Sequence, residues 1–395
     1  MRKTKVLASA VTLATVALAA SACTAAGPPR LSSASTPTAP AAPAGKGGQA
    51  VTAITAAPEP AASSAAGPSS ATGILTSSPS LTQRVAREVY GTYVTQTAHA
   101  YAAKDYNAAL ALTGTVQWHE MDSEILTAQA KHQPVIQYKY GTPAFIVPSM
   151  ATDPQIFLVS VERTATASRT LAGVNLPAKA RVLLLFSRAD ATSPWQLDAT
   201  TQLPAGQALP KLATTSGGYA QLATLDDTTS YLARPDIVGP LQAGVVDDGP
   251  SSASSQVVAS GPLTTGLYDW EEHPPAAYHQ PKGDLRQWSL EGSEYDRFAL
   301  RTANGGALVF YAMSLDSTTD TPADQAQDVP LPAGPPITIP PEFQPLDLKP
   351  GVLATKSMTT EYGVVFAATD PPASAISSKI SVIGIGGGPS SLSIG

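Results

Sequence analysis

The chain has 395 residues, a formal net charge of −6 and a single cysteine. One cysteine excludes an intramolecular disulfide, so a folded domain must draw its stability from buried apolar surface. The acidic residues are scattered and no basic stripe is present. This argues against nucleic acid as a partner, because binding to phosphates requires clustered Lys and Arg.

The first 22 residues have the pattern of a secretion signal. Arg2, Lys3 and Lys5 give a positive start, and residues 6–20 form an apolar run of about fifteen residues, which is short for a membrane span. Without this segment 21 Lys and Arg remain against 30 Asp and Glu, a net charge near −9. No later run is long and apolar enough to cross a bilayer.

Cys23 directly follows the small residues "ASA" at positions 20–22. Small residues before a cysteine resemble the lipobox of bacterial lipoproteins, although Ala20 stands where that family prefers leucine. The resemblance implies cleavage before Cys23, attachment of diacylglycerol and acyl chains such as palmitate to it, and a stable membrane anchor. The alternative is an ordinary secretion signal that is cut after Ala22, with an incidental cysteine.

Residues 23–79 consist mostly of Ala, Pro, Ser, Thr and Gly. A segment of this composition cannot bury enough apolar surface to offset the entropy lost on ordering, so we expect a disordered tether. At roughly 3 Å per residue in an extended, Pro-rich conformation, it could reach more than about 100 Å.

Residues 80–225 are predicted to form a first α+β module. The capping pattern "SLTQ", with Ser80 as N-cap, precedes a helix over 81–103, followed by a short helix from Asp105 and a third helix that ends before Pro134. Strands are predicted where β-branched and large apolar residues follow. Their ranges are 142–149, 155–166, 180–190 and 194–204.

Residues 226–395 repeat this order and are predicted to form a second α+β module. "TTSYLARPDIVGPLQAGVV" is helical in part, with Pro235 and Pro240 as interruptions, and four strand-like stretches follow. Asn304-Gly305 between two apolar runs indicates a β-hairpin. Helices before strands favour antiparallel sheets, and "GIGGGPSS" (384–391) is interpreted as a frayed C-terminal end.

The stretches "LPKLATTSGGYAQ", "VGPLQAGVVDDGPSS" and "ALRTANGGALVFYA" resemble an uncharacterised domain of actinobacterial lipoproteins. That family has no assigned reaction, so the resemblance implies no site residues. The order of helices and strands is also similar to the nuclear transport factor 2-like cone. This similarity implies two tandem cone-like modules, a fold that hosts both enzymes and binding modules.

The first candidate site is the polar cluster "WHEMDSE" (118–124) on the predicted third helix. His119 and Asp122 share one helix face and are candidates for an acid–base pair or a ligand site. The alternative is that Trp118, Met121 and Ile125 form the apolar stripe, which leaves the polar residues in water.

The second candidate site is "YDWEEHPPAAYH" (268–279), predicted to be a surface loop because of its two prolines. Its carboxylates and imidazoles are of the type that binds a divalent metal or a sugar. They belong to Glu271, Glu272, His273 and His279. No complete metal or catalytic motif is present, so we expect no resident metal or cofactor.

The sequence favours a non-catalytic binding or scaffold lipoprotein on the outer face of the cytoplasmic membrane, with an envelope protein, glycan or lipid as its ligand. An extracytoplasmic hydrolase or isomerase of the cone type, using His119 or His273, is the alternative. A solute-binding receptor is a third hypothesis, although the alternation of strands and helices that such receptors show is missing.

Overall fold

The structure is a computed structural model that describes part of the chain. It describes residues 81–150, 152–273, 285–292, 297–320, 337, 339–340, 343–346, 357–375 and 377–394. These residues fall in one compact unit, 73–395. The predicted signal, Cys23 and the predicted tether lie outside the described residues.

Five helices and twelve strands are described. The helices are α1 (Gln83–Ala103), α2 (Tyr106–Leu110), α3 (Thr115–Ala130), α4 (Val238–Asp248) and α5 (Thr265–Glu272). The strands are β1 (Tyr138–Tyr140), β2 (Ala144–Ile146), β3 (Gln155–Ala165), β4 (Arg169–Leu171), β5 (Val174–Leu176), β6 (Lys179–Arg188), β7 (Gln196–Gln202), β8 (Leu285–Gly292), β9 (Phe298–Arg301), β10 (Ala307–Asp320), β11 (Ser357–Asp370) and β12 (Ser381–Ile394). No described helix has the length and apolar character needed to cross a membrane.

Ten of these strands form one antiparallel sheet. Its order is β1-β3-β6-β7-β12-β11-β10-β8, with β2 paired to β3 and β9 paired to β10, while β4 and β5 form a separate ribbon. The predicted fold class, α+β with an antiparallel sheet, is confirmed.

The two predicted modules contribute to the same sheet. Helices precede strands in both segments, as predicted, but β7 of the first segment pairs with β12 of the second at Gln202 and Ile385. Two separate cone-like sheets are therefore not observed among the described residues. The likeness to the nuclear transport factor 2-like cone and the division at residues 225/226 stay predictions.

Helix α1 forms where the sequence predicts it, with a different cap. Thr82, rather than Ser80, is the N-cap, and its hydroxyl accepts a hydrogen bond from the Val85 N–H at 3.2 Å. Tyr90 and Tyr93 lie on the buried face of the helix, where the Tyr93 ring meets Phe186 edge-on at 5.4 Å. This aromatic contact fixes α1 on the sheet.

Helix α4 includes a proline that the sequence analysis interpreted as an interruption. Pro235 opens a short 3₁₀ turn, and Pro240 lies in the first turn of α4. The first N–H groups of a helix have no intrahelical acceptor, so a proline there removes no hydrogen bond. The predicted hairpin at Asn304-Gly305 is confirmed, because β9 and β10 pair on either side of it.

The apolar core consists of separate layers over the same sheet. In the first segment α1 packs on a cluster that includes Phe157 and Phe186. In the second segment α4 and α5 pack on a cluster that includes Tyr311 and Phe366. Thus α1 packs on strands of the first segment, and α4 and α5 pack on strands of the second.

Strand β12 passes unusually close to its neighbours through a run of glycines. A Cβ atom on Gly386 would lie 1.6 Å from the Thr200 carbonyl oxygen, and one on Gly388 would lie 3.1 Å from the Glu120 Cα. Gly387 has φ of +113°, a conformation that favours glycine. The prediction of a frayed end at 384–391 is wrong, because residues 384–388 are buried in the sheet.

We predict that Gly386→Ala destabilises the fold by about 1–3 kcal/mol or more, because the added methyl group forces β12 away from β7. The control is Gly91→Ala, which lies on α1 with no atom within 4 Å of the added Cβ. It should stabilise the protein by about 0.5–1 kcal/mol, the usual gain for Gly→Ala within a helix. Urea denaturation followed by tryptophan fluorescence measures both changes. If the two substitutions changed the free energy of unfolding equally, the close approach of β12 to β7 at Gly386 would be contradicted.

Candidate functional site

Helix α3 carries two carboxylates on the face that it turns toward the sheet. Glu120 and Glu124 are one turn apart, and Glu120 is only 1% exposed. α3 contacts β7, β11 and β12, so these carboxylates lie where the strands of the two segments meet. Burial of a charged group is costly unless it is paired, so their partners determine what the site can do.

Arg169 of β4 is the shared partner of both carboxylates. Its guanidinium forms an ion pair with Glu120 and a second one with Glu124, where Nη1 lies 3.2 Å from Oε1. The same group donates a hydrogen bond to the Gly387 carbonyl oxygen at 3.3 Å, and the Gly387 N–H donates to Glu120 at 3.3 Å. The ion pair therefore connects α3, β4 and β12.

Tyr138 and Arg163 extend this network along the first segment. The Tyr138 hydroxyl donates to Glu124 at 2.5 Å, and the Arg163 guanidinium lies over the Tyr138 ring at 4.2 Å. Arg163 also donates to the side-chain oxygen of Gln202 at 3.2 Å. The two carboxylates and the two guanidinium groups balance in charge. Together with the Tyr138 hydroxyl they form the α3 ion network, whose members are Glu120, Glu124, Tyr138, Arg163 and Arg169.

The electrostatics of the α3 ion network follow from its burial. Burial raises the pKa of Glu124, although the Arg169 guanidinium acts in the opposite direction. Burial disfavours the charged form of Arg169, but Glu120, Tyr138 and Glu124 outweigh it and raise the pKa of Arg169. Burial also raises the pKa of Tyr138. Glu120, Glu124 and Arg163 are buried and Arg169 and Tyr138 are partly buried, so the opposite charges of this network neutralise one another largely away from water.

Glu120 and Glu124 were not predicted as site residues, because His119 and Asp122 were the candidates on this helix and the alternative left its polar residues in water. The structure buries Met121 and Ile125 as predicted, but it leaves Trp118 39% exposed, so the predicted stripe is wrong at that position. The available signal was the spacing of the two glutamates, which places them on one helix face.

His119 and Asp122 lie half-buried on α3, away from the ion network's contacts. The Trp118 and His119 rings meet edge-on at 5.2 Å. Partial burial raises the pKa of Asp122, and the nearby His119 opposes that shift. The two residues are neighbours as predicted, and their role as an acid–base or ligand pair stays a prediction.

The second predicted cluster lies on a helix where a loop was expected. Glu271 and Glu272 belong to the last turn of α5, and His273 follows it, donating its backbone N–H to the Asp269 carbonyl oxygen at 3.0 Å. His279 lies outside the described residues. Across the described part of the chain, no three His, Cys, Asp or Glu side chains are grouped so that they could hold a metal ion.

Glu271 has an unusual environment within this cluster. Its Oε1 is buried and has no hydrogen-bond partner among the described residues. Burial raises its pKa to about 8, with further contributions from Asp247 and Glu272. Glu272 and His273 are exposed, so the structure does not bring the three side chains into one enclosed site.

Asp370, at the end of β11, is a buried carboxyl that the sequence analysis did not single out. It is 1% exposed, and its Oδ2 has no hydrogen-bond partner among the described residues. Its Oδ1 accepts a hydrogen bond from the Ala233 N–H at 3.4 Å. Burial raises the pKa of Asp370 to about 7, although the N–H groups of Ala233 and Leu232 oppose the shift.

We predict that Arg169→Met destabilises the protein by about 3–5 kcal/mol, because it leaves two buried carboxylates without their cation. Arg84→Ala is the matched control, since the Arg84–Glu88 pair is largely exposed. Loss of such a pair costs about 0.5 kcal/mol or less. Guanidinium denaturation measures both. The interpretation fails if Arg169→Met costs no more than Arg84→Ala.

We predict that the Asp370→Asn variant gains stability relative to the wild type as the pH rises from 4 to 8. The folded state holds the Asp370 proton up to a pKa of about 7, whereas the unfolded state releases it near pH 4. The wild type therefore loses stability between these values, by at most about 4 kcal/mol, and the Asn variant lacks this loss. Thermal or urea denaturation of both proteins from pH 4 to pH 8 measures the difference. A difference that is constant with pH would contradict the assignment.

Comparison with known proteins gives one matching family and one similar protein. A family model described as "Domain of unknown function (DUF8094)" matches residues 77–386. A protein of Streptomyces avermitilis named "Uncharacterized lipoprotein" is 27% identical over 188 residues, which is 47% of this chain and 50% of the relative. The chain thus spans about half the length of that curated relative. No solved structure matches the chain. Because the family model covers most of the chain, the protein belongs to the family of the domain of unknown function DUF8094.

Proposed function

We propose that the chain is a lipid-anchored lipoprotein on the outer face of the cytoplasmic membrane, where it acts as a non-catalytic binding or scaffold module. The observation that carries the non-catalytic part is the α3 ion network. Its carboxylates are the most buried acidic groups of α3, and they are committed to Arg169, Tyr138 and the backbone of Gly387. Groups paired in this way hold the fold together, which supports a structural role for them.

The anchor is supported by two independent observations. The small residues before Cys23 resemble a lipobox. A relative that is 27% identical is named an uncharacterised lipoprotein. A lipid on Cys23 and a long Ala- and Pro-rich segment after it would carry the folded unit some distance from the membrane. The partner would then be another envelope component, such as a protein, a glycan or a lipid.

We predict that Cys23→Ser moves the protein from the membrane fraction to the soluble fraction or leaves it as the longer, uncut precursor. Incorporation of a labelled palmitate analogue should be lost in the same variant, because the thiol that carries the lipid is gone. Membrane fractionation, immunoblotting and intact mass in a host that processes lipoproteins measure these outcomes.

The control for this experiment is Ala20→Leu, which restores the residue that lipobox sequences prefer. That variant should remain in the membrane fraction and carry the label. If the Cys23→Ser protein stays in the membrane at its mature size, the anchor is not at Cys23. Substrate turnover that is abolished by His119→Ala or Glu271→Gln would contradict the non-catalytic part of the proposal.

A further inference from the structure

The first turn of α3 carries an aromatic side chain that the fold leaves in contact with solvent. Trp118 is 39% exposed, and Leu222, at 41%, is the other large apolar residue that is exposed in the described part of the chain. The next residues of the same apolar stripe, Met121 and Ile125, are only 3% exposed. A single exposed apolar residue is common on protein surfaces, so its neighbours decide what it can bind.

Two polar side chains lie next to the Trp118 indole. The His119 ring meets it edge-on, with 5.2 Å between the ring centres. Asp122 follows Trp118 by four residues, so the two residues are neighbours on the helix surface. The charge of His119 lowers the pKa of the Asp122 carboxyl against the larger effect of burial, which places these two groups close together as well. We call Trp118, His119 and Asp122 the Trp118 patch.

The charge of the Trp118 patch restricts the ligands that fit it. Asp122 supplies a carboxylate, and α3 contains no Lys or Arg. The other two carboxylates of this helix, Glu120 and Glu124, are paired with Arg169 in the α3 ion network. A ligand with a phosphate or carboxylate group would meet the Asp122 charge without a cation from the helix. The patch therefore favours a ligand that is not anionic.

The size of the apolar surface restricts the ligand further. An indole side chain offers at most about 250 Å², so the 39% of Trp118 that is exposed amounts to roughly 100 Å². A standard protein interface buries about 800 Å² per partner, more than half of it apolar. An acyl chain would cover the Asp122 carboxyl without giving it a hydrogen bond, which is costly. The patch therefore suits a small ligand that has both an apolar face and hydroxyl groups.

We propose that the Trp118 patch binds a neutral sugar residue of an envelope glycan. The apolar C–H face of the sugar ring covers the Trp118 indole, the Asp122 carboxylate accepts hydrogen bonds from the sugar hydroxyls, and the His119 imidazole donates or accepts another. This inference rests on the proposed binding function and names its ligand class. Because the contact is small and open to water, each sugar residue binds weakly, in roughly the millimolar range.

The test is a titration of the full chain, in detergent, with tetrasaccharides of glucose and of N-acetylglucosamine. NMR follows the indole N–H signal of Trp118, which is identified by its absence in Trp118→Phe. This signal should shift with saturation for at least one of the two sugars. Trp118→Ala should raise the Kd at least about tenfold, because the indole supplies the apolar contact, and Trp118→Tyr should largely restore binding. Leu222→Ala, which removes the other exposed apolar side chain, is the matched control and should leave the Kd unchanged.

The contrary outcomes separate this inference from the proposed function. If neither sugar binds to the wild type up to about 20 mM, the sugar class is wrong, while a protein or lipid partner for the chain stands. A Kd that is the same in Trp118→Ala overturns the site but leaves a glycan-binding chain. Binding of a lysine tetrapeptide at Trp118 in place of the sugars overturns the inference and assigns the patch to a cationic partner. Cleavage of a tetrasaccharide, detected by mass spectrometry, supports the sugar class and contradicts the non-catalytic part of the proposed function.

Discussion

The ion pair between Glu120 and Arg169 is the interaction on which the junction of the sheet depends. Glu120 is buried on α3, and it contacts both the Arg169 guanidinium and the Gly387 N–H. Without this cation, α3 would place two charges in the interior, which is far more costly than leaving them in water. The same contacts bring β4 and β12 to the helix, so one buried interaction connects the helices of the first segment to the last strand of the second.

The close approach at this junction also requires the glycines of β12. The Gly386 backbone lies so near Thr200 that any side chain would overlap the carbonyl oxygen. Gly388 lies close to α3 as well, where an added Cβ would be 3.1 Å from the Glu120 Cα. The ion pairs of the α3 ion network and the glycines of β12 therefore act together where α3 meets the sheet. The glycines allow the helix and strands to meet, and the ion network compensates the charge that this contact buries.

This arrangement explains how much of the candidate site could be predicted. The elements predicted at 81–103, 155–166 and 180–190 form within two residues of those bounds, because hydrophobic spacing is a local signal, although the helix cap is Thr82 and not Ser80. Glu120 and Glu124 were missed because a glutamate on a helix is normally exposed, and only a distant arginine makes its burial possible. The "GIGGGPSS" stretch was misinterpreted for a related reason, since glycine in a buried strand is explained by its neighbours and not by its own propensity.

The sequence by itself determined where the chain resembles a lipoprotein, which residues are rich in Ala, Pro, Ser, Thr and Gly, and that helices precede strands in both segments. These properties depend on residues that are close together in the chain. Only the tertiary structure decided that both segments share one sheet and that α3 is buried against it. The contacts responsible join Glu120 to Arg169, 49 residues away, and to Gly387, 267 residues away. Separations of this size leave no local periodicity, because the partners meet only after the intervening chain has folded.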